Sequence, residues 1–312
     1  MHKFAIFIDL TMSGLSKHTS RNILFYHIVA IIVVSIWGST LVSTKILMRD
    51  GMRADEVFII RFALAYLAIL PFSPRTLWAG SWRDELMMLA LGITGGSLYF
   101  ITENMAVGIT YVNNVSFIVS TSPLFTMVFV LLTYRHLKVR KILIIGSLLA
   151  LLGIGVVIFN GQVILKLNPL GDMLSVAASL CFGVYCYLVK VLGDRYDSIF
   201  LTRKMFIYGL LTSLFILLFN PWHYDLSGLM KGMVMLNLLF LGLIASFFCF
   251  VLWNVAINKL GAVTMSNYLY LIPVTTVIFS AIFLDEPMTA IAYAGSVLIL
   301  VGVFLANKGC AD

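Results

Sequence analysis

Two charged side chains, Arg61 and Glu103, stand inside otherwise apolar stretches of this chain. A charge at the centre of a bilayer costs about 2.5–3.5 kcal/mol on insertion scales, so each asks for a reason. Arg61 lies seven residues in from Ala54, and Glu103 five residues before Gly108. At a helical rise of 1.5 Å per residue, both sit ~8–10 Å below the same edge of an embedded bundle. Equal depth makes an ion pair between them feasible. The competing readings are a structural Arg61–Glu103 pair, an Arg61 that snorkels outward, and a charged pair lining the outer half of a pathway. A close arginine would keep Glu103 ionised, which counts against proton transfer by that carboxylate. Neutral groups at mid-depth suit contact with a cargo. Trp37, Thr40 and Thr44 share one helical face, and Asn114, Phe117 and Thr121 share another. Asn104, Tyr185, Trp253, Asn254, Asn267, Tyr268 and Tyr270 add amide, indole and phenol groups. Such a set in apolar surroundings fits a small amphipathic molecule. The alternative for each residue is bonding between helices. Asp172, at the start of its segment, reads as a first-turn carboxylate facing free amides. Asp285 and Glu286 read as structural turn residues, with Pro287 opening the next helix.

Enzyme chemistry lacks its parts. The five histidines (His2, His18, His27, His136 and His223) fall in loops or at segment edges. No HExxH, GxSxG or GxxxxGK[ST] occurs, which leaves metalloprotease, serine hydrolase and P-loop chemistry without a site. Cys181, Cys186 and Cys249 match no familiar metal or redox spacing. No catalytic residue, metal site or cofactor is therefore expected. A membrane-embedded enzyme would have to use Glu103 and Arg61. A channel would need a continuous polar face through several helices, and only interrupted ones occur.

The elements that position these residues must sit in lipid. Of the 312 residues 61% are hydrophobic and 11% charged, against about 25% charged in soluble domains. A ruler of ~20 apolar residues per crossing gives ten candidate spans: 24–46, 55–73, 86–108, 112–133, 141–159, 169–190, 200–219, 233–257, 262–284 and 288–306. The weakest is 200–219, shortened by Arg203 and Lys204. Runs such as Ile142–Leu152 do not alternate as barrel strands do, so the expected fold class is all-α, a polytopic membrane bundle. The net charge of +7 then becomes an orientation label. With the N-terminus inside, fifteen of the 21 Lys and Arg fall in inner segments and five in outer loops, with Arg61 within a span. Positive charge concentrates on the cytoplasmic side, so both termini are expected there. Basic residues spread over short loops without aromatic interleaving argue against a nucleic-acid partner. Residues 1–23 read as a cytoplasmic tail and not as a signal peptide, because Asp9 interrupts a short apolar run. Met12 is an alternative start. Tyr26, Tyr111 and Trp222 are expected in the interfacial belt.

An internal repeat sets the architecture. Residues Phe100–Phe129 face Phe250–Phe279 at a constant shift of 150, with Asn104/Asn254, Ser116/Ser266, Pro123/Pro273 and Thr126/Thr276 coinciding. Gly146–Gly153 (GSLLALLG) faces Gly295–Gly302 (GSVLILVG). Each half holds five spans, and an odd number makes the two copies inverted repeats, the arrangement suited to alternating access. The expected organisation is a first repeat at 24–159, a linker at 160–167, a second repeat at 168–306 and a tail at 307–312. The paired glycines share helical faces and are expected to pack helices closely. Pro123 and Pro273 interrupt the fourth span of each half and are candidate hinges.

The order of motifs resembles the EamA-type members of the drug/metabolite transporter superfamily over about residues 24–306. It is carried by Trp37-Gly38-Ser39-Thr40 with Lys45, Arg61-Phe62, Ser122-Pro123-Leu124, Gly171-Asp172 and Leu284-Asp285-Glu286-Pro287. One departure is that Arg135-His136 stands where the family pattern often has an acidic residue, matched in the second half by Glu286. Residues 24–46 also lack the first-helix carboxylate of the small four-helix multidrug pumps. The resemblance implies a metabolite or drug exporter and does not name the cargo. Taken with the amphipathic set of polar and aromatic groups, it makes the expected function a secondary transporter exporting an amino acid or related small metabolite by alternating access. A drug or nucleotide-sugar-like exchanger is the alternative. Its partners would be that small molecule and the lipid bilayer, with a homodimer left open.

Overall fold

The computed structural model describes residues 19–74, 76–110, 112–134, 140–159, 168–283 and 290–310. The expectations for Tyr111, Arg135, His136, Asp285, Glu286, Pro287, most of the N-terminal tail and the 160–167 linker lie outside the described residues. Among those described, every regular element is helical. In chain order these are α1 (Thr19–Arg49), α2 (Ala54–Ile69), α3 (Trp82–Ile109), α4 (Val112–Val119), α5 (Ser122–Thr133) and α6 (Lys141–Phe159). Then follow α7 (Pro169–Gly193), α8 (Ser198–Phe219), α9 (Gly232–Leu260), α10 (Ala262–Asn267), α11 (Ile272–Phe283) and α12 (Ala290–Cys310). Among the described residues, seven segments are long and apolar enough to cross a membrane, and shorter apolar helices lie at Lys141–Val156 and Tyr293–Gly309.

Among the described residues, four helical runs are not regular. In α3 the segment Ile93–Ser97 widens to π-helical turns around Gly95 and Gly96. In α9 the same happens over Phe240–Phe248. The chain breaks between α4 and α5 at Ser120 and Thr121, and a 3₁₀ segment, Tyr268–Leu271, separates α10 from α11. Pro123 and Pro273 each stand at the second position of the helix after the break, where a missing N–H costs no hydrogen bond. The prolines thus open new half-helices, where the sequence suggested bends in continuous ones. The carbonyl of Val119, freed at the first break, accepts the Ser122 hydroxyl at 2.6 Å.

Close helix crossings use small residues. A side chain at Gly38 of α1 would collide with Thr275 and approach the Ile272 carbonyl of α11 to 3.0 Å, and one at Gly183 of α7 would meet Phe125 Cβ of α5 at 2.6 Å. Helices α6 and α12 pack through Gly146, Gly153 and Gly302, where an added Cβ would strike backbone of the facing helix.

The segment 200–219, weak by hydropathy, forms a full helix with Arg203 and Lys204 buried near its start. Lys204 pairs with Glu85 of α3, which also accepts the Tyr208 hydroxyl. Arg203 donates to the Pro74 carbonyl at 2.5 Å. Alongside, Asp84 accepts Arg195 at 2.5 Å and the Tyr196 hydroxyl at 2.8 Å. At the opposite end of the bundle Glu56 accepts the backbone N–H groups of His223 and Tyr224 at 2.6 and 2.8 Å. Asp50 takes the Tyr224 hydroxyl and Lys231 there, and these two bonds hold its carboxyl below the ordinary carboxylate range. Burial, reinforced by Asp50, pushes the Tyr224 phenol up to about 12.

A Gly302→Val change should force α6 and α12 apart and cost about 1–3 kcal/mol, whereas Gly232→Ala, with open space around it, should be tolerated. Melting of the detergent-solubilised variants checks both, and equal melting temperatures would refute the close-packing account.

Candidate functional site

Where the irregular runs meet α1 and α2, the bundle forms a partly open cavity of about 460 Å³, a volume that includes the space at its mouth. Its walls are largely aromatic: Trp37, Tyr99, Phe100, Phe182 and Phe250. Its polar groups are Thr40, Arg61, Glu103, Ser116 and Ser122. Three aromatic side chains pack edge to face or tilted around Trp37: Phe182 at 5.7 Å, Phe250 at 5.1 Å and Trp253 at 4.8 Å between ring centroids. These geometries suit ring quadrupoles and make the wall stiff.

Arg61 is 1% exposed. It points inward, which overturns the snorkelling expectation. Its Nε–H donates to the Ser246 hydroxyl in the π-helical part of α9 at 2.5 Å. Its guanidinium carbon lies 4.1 Å from the centre of the Phe100 ring, a cation–π contact that replaces part of the lost hydration. Glu103 is 6% exposed and its Oε1 accepts the Tyr99 hydroxyl at 2.6 Å, one turn back on α3. The two charges share the cavity, yet they form no ion pair within 4.0 Å. The feasible pair is therefore not made: Glu103 is engaged by Tyr99 on its own helix and Arg61 by Ser246 on α9. Trp37 is anchored by its indole N–H, which donates to the Ala245 carbonyl at 2.9 Å, next in sequence to Ser246.

The remaining candidates are placed elsewhere. Asn104 donates to the Ala54 carbonyl at 3.1 Å, tying α3 to the start of α2. Tyr185 donates to Asn254, whose Nδ2 donates on to Thr202 at 2.8 Å, so α7, α9 and α8 are joined by one buried chain of bonds. Thr121 bonds Ser179 at 2.9 Å and Asn267 bonds Asn307 at 3.0 Å. Trp253 and Tyr270 are fully buried, and Asn114 is partly buried; none of these lines the cavity. Of the residues singled out in the sequence, then, Trp37, Thr40, Arg61 and Glu103 come together at the cavity. Tyr99, Phe100, Ser116, Ser122 and Ser246 were missed. Tyr99 stands one helical turn before Glu103, a spacing that could have flagged it. Ser246 gives no such signal in an apolar run.

The profile of the EamA-like transporter family matches residues 24–159 and again 169–308. The chain belongs to this family. It is a multi-pass membrane transporter of the EamA type. An uncharacterized transporter of Archaeoglobus fulgidus is 27% identical over 285 residues, covering 89% of this chain and 97% of its own length. A probable terminal-alkyne amino-acid exporter of Streptantibioticus cattleyicolor is 23% identical over 279 residues, covering 89% and 92%. A solved crystal structure superposes with a TM-score of 0.68 over 90% of this chain and 96% of its own, at 16% identity, which establishes likeness of fold.

Removing the Tyr185 hydroxyl should leave the Asn254 carbonyl oxygen buried without that donor, at about 1–3 kcal/mol. Tyr185→Phe is thus expected to melt earlier while transport per folded molecule holds. Unchanged melting with altered transport would instead put Tyr185 on the pathway.

Proposed function

We propose that this EamA-type transporter is a secondary carrier of the cytoplasmic membrane that exports a small amphipathic metabolite, an amino acid or derivative, by alternating access. The observation that carries the reading is the cavity itself: a buried guanidinium and a buried carboxylate on the walls of a chamber otherwise lined by aromatic, aliphatic and hydroxyl side chains. An apolar moiety with one or two polar groups is the chemistry such a chamber accommodates. The name given to the Streptantibioticus relative favours an amino acid among such cargoes. Outward direction rests on the family resemblance.

In this reading the seven long helices, the two shorter apolar ones and α2 make ten crossings, with both termini cytoplasmic as the distribution of Lys and Arg suggests. The two halves, 24–159 and 168–306, are inverted repeats joined by the 160–167 linker. Three paired features support this. The family profile matches the chain twice. π-helical turns occur at Ile93–Ser97 and Phe240–Phe248. Gly38 crosses α11 beside Thr275 as Gly183 crosses α5 beside Phe125, so each half lends its first helix to the broken fourth helix of the other. Rocking of the halves would be taken up at the breaks before Pro123 and Pro273, where no continuous hydrogen-bond ladder has to be torn. Arg61, Glu103, Trp37 and Thr40 would contact the cargo. Asn104, Thr121, Tyr185, Asn254 and Asn267 would act by holding the helices that carry them.

Comparative metabolite profiling inside and outside cells, with the protein absent and overproduced, should shift one class of amphipathic compound. Arg61→Ala should abolish that shift, a loss of at least about tenfold, at unchanged protein level. If the variant leaves both transport and level unchanged, the pathway role of Arg61 is wrong.

A further inference from the structure

Arg61 is held so that one edge of its guanidinium is unused. A guanidinium carries five N–H donors in a rigid plane. Here Nε–H is taken by Ser246 at 2.5 Å and one face is covered by Phe100 at 4.1 Å. Among the described residues the two terminal nitrogens have no hydrogen-bond partner, although the side chain is 99% buried and lines the cavity. Glu103 does not answer them, since it is engaged by Tyr99 and lies outside ion-pair distance. A buried cation with unanswered donors is costly. The two terminal nitrogens form a fork whose parallel N–H groups match the two oxygens of a carboxylate.

Building on the cargo reading above, we propose that this free edge is the docking point for a carboxylate of the cargo, and that Ser246 is the positioning residue that aims it. Ser246 sits in the widened helical segment Phe240–Phe248. The neighbouring Ala245 carbonyl holds the Trp37 indole. One short stretch of α9 therefore sets both the cation and the aromatic wall beside it. Glu103, across the same cavity, disfavours a second negative group and receives an ammonium. The cargo selected is a monocarboxylate whose far end is apolar and which tolerates an amine, not a phosphate or a dicarboxylate.

The test uses the purified full chain in lipid nanodiscs and four probes that share one ring: L-phenylalanine, L-phenylalaninamide, 3-phenylpropanoate and 2-phenylethylamine. Binding is read by calorimetry. L-phenylalanine should bind at least about tenfold more tightly than its amide, and 3-phenylpropanoate more tightly than 2-phenylethylamine by a similar factor. Ser246→Ala should shrink the acid-over-amide ratio to within about threefold, and Ser246→Thr, which keeps the hydroxyl, should restore it. Equal wild-type binding of acid and amide overturns the carboxylate docking while leaving an amphipathic cargo standing. That comparison needs no variant to fold. A full ratio in well-folded Ser246→Ala overturns the role of Ser246. Binding of none of the four overturns both this proposal and the cargo reading beneath it.

Discussion

Inside a bilayer a guanidinium has no water to return to, so whatever holds Arg61 also dictates where α2, α3 and α9 can sit. The solution in this protein is unequal. One donor goes to a serine on α9 and one face to a phenyl ring on α3, while no acidic partner among the described residues is within ion-pair reach. Pairing with Glu103 would have neutralised the charge and closed the cavity. Leaving the two charges apart keeps a polar chamber open in a chain where 61% of residues are hydrophobic. The cost is met by the surrounding bundle, whose aromatic wall and buried end networks fix the three helices relative to one another.

That cost explains why the helices are irregular where they are. A π-helical turn departs from the regular backbone ladder and re-aims the groups it carries toward neighbouring helices. The π-helical turns of α9 place Ala245 and Ser246 so that Trp37 and Arg61, arriving from two other helices, are both received there. The breaks between α4 and α5 and between α10 and α11 have a different effect. They turn two potential crossings into half-helices that meet α7 and α1 at glycines. Ser116, Ser122, Leu269 and Ile272 reach the cavity from these broken regions. Irregular backbone in the membrane is tolerated where it lines a cavity or is buried in protein, and here it does both.

How much of this is legible beforehand depends on whether a residue's meaning is local. Length and hydropathy locate the helices, and the buried charges Arg61 and Glu103 stand out because nothing local explains them. The segment 200–219 looks weak because Arg203 and Lys204 interrupt it. Their partners, Pro74 and Glu85, lie more than a hundred residues away and are invisible to a window of twenty. The same distance hides the difference between a cargo contact and a brace. Asn104 and Asn254 match across the repeat as cavity groups would, yet both amides are spent on neighbouring helices. Ser246 and the π-helical turn around it are the least legible of all. A small hydroxyl in an apolar run suggests packing, and extra residues in a turn leave no mark in composition.

The central claim is that the chamber holding Arg61 and Glu103 is reached from both sides of the membrane in turn. It is tested most directly by placing one cysteine, Thr40→Cys, in a chain whose native cysteines are replaced by alanine, and labelling it with a membrane-impermeant thiol reagent in vesicles of each orientation. The account predicts labelling from either face, with transported cargo slowing both reactions. Labelling from one face only, at any cargo concentration, would contradict it and leave a pocket without a pathway.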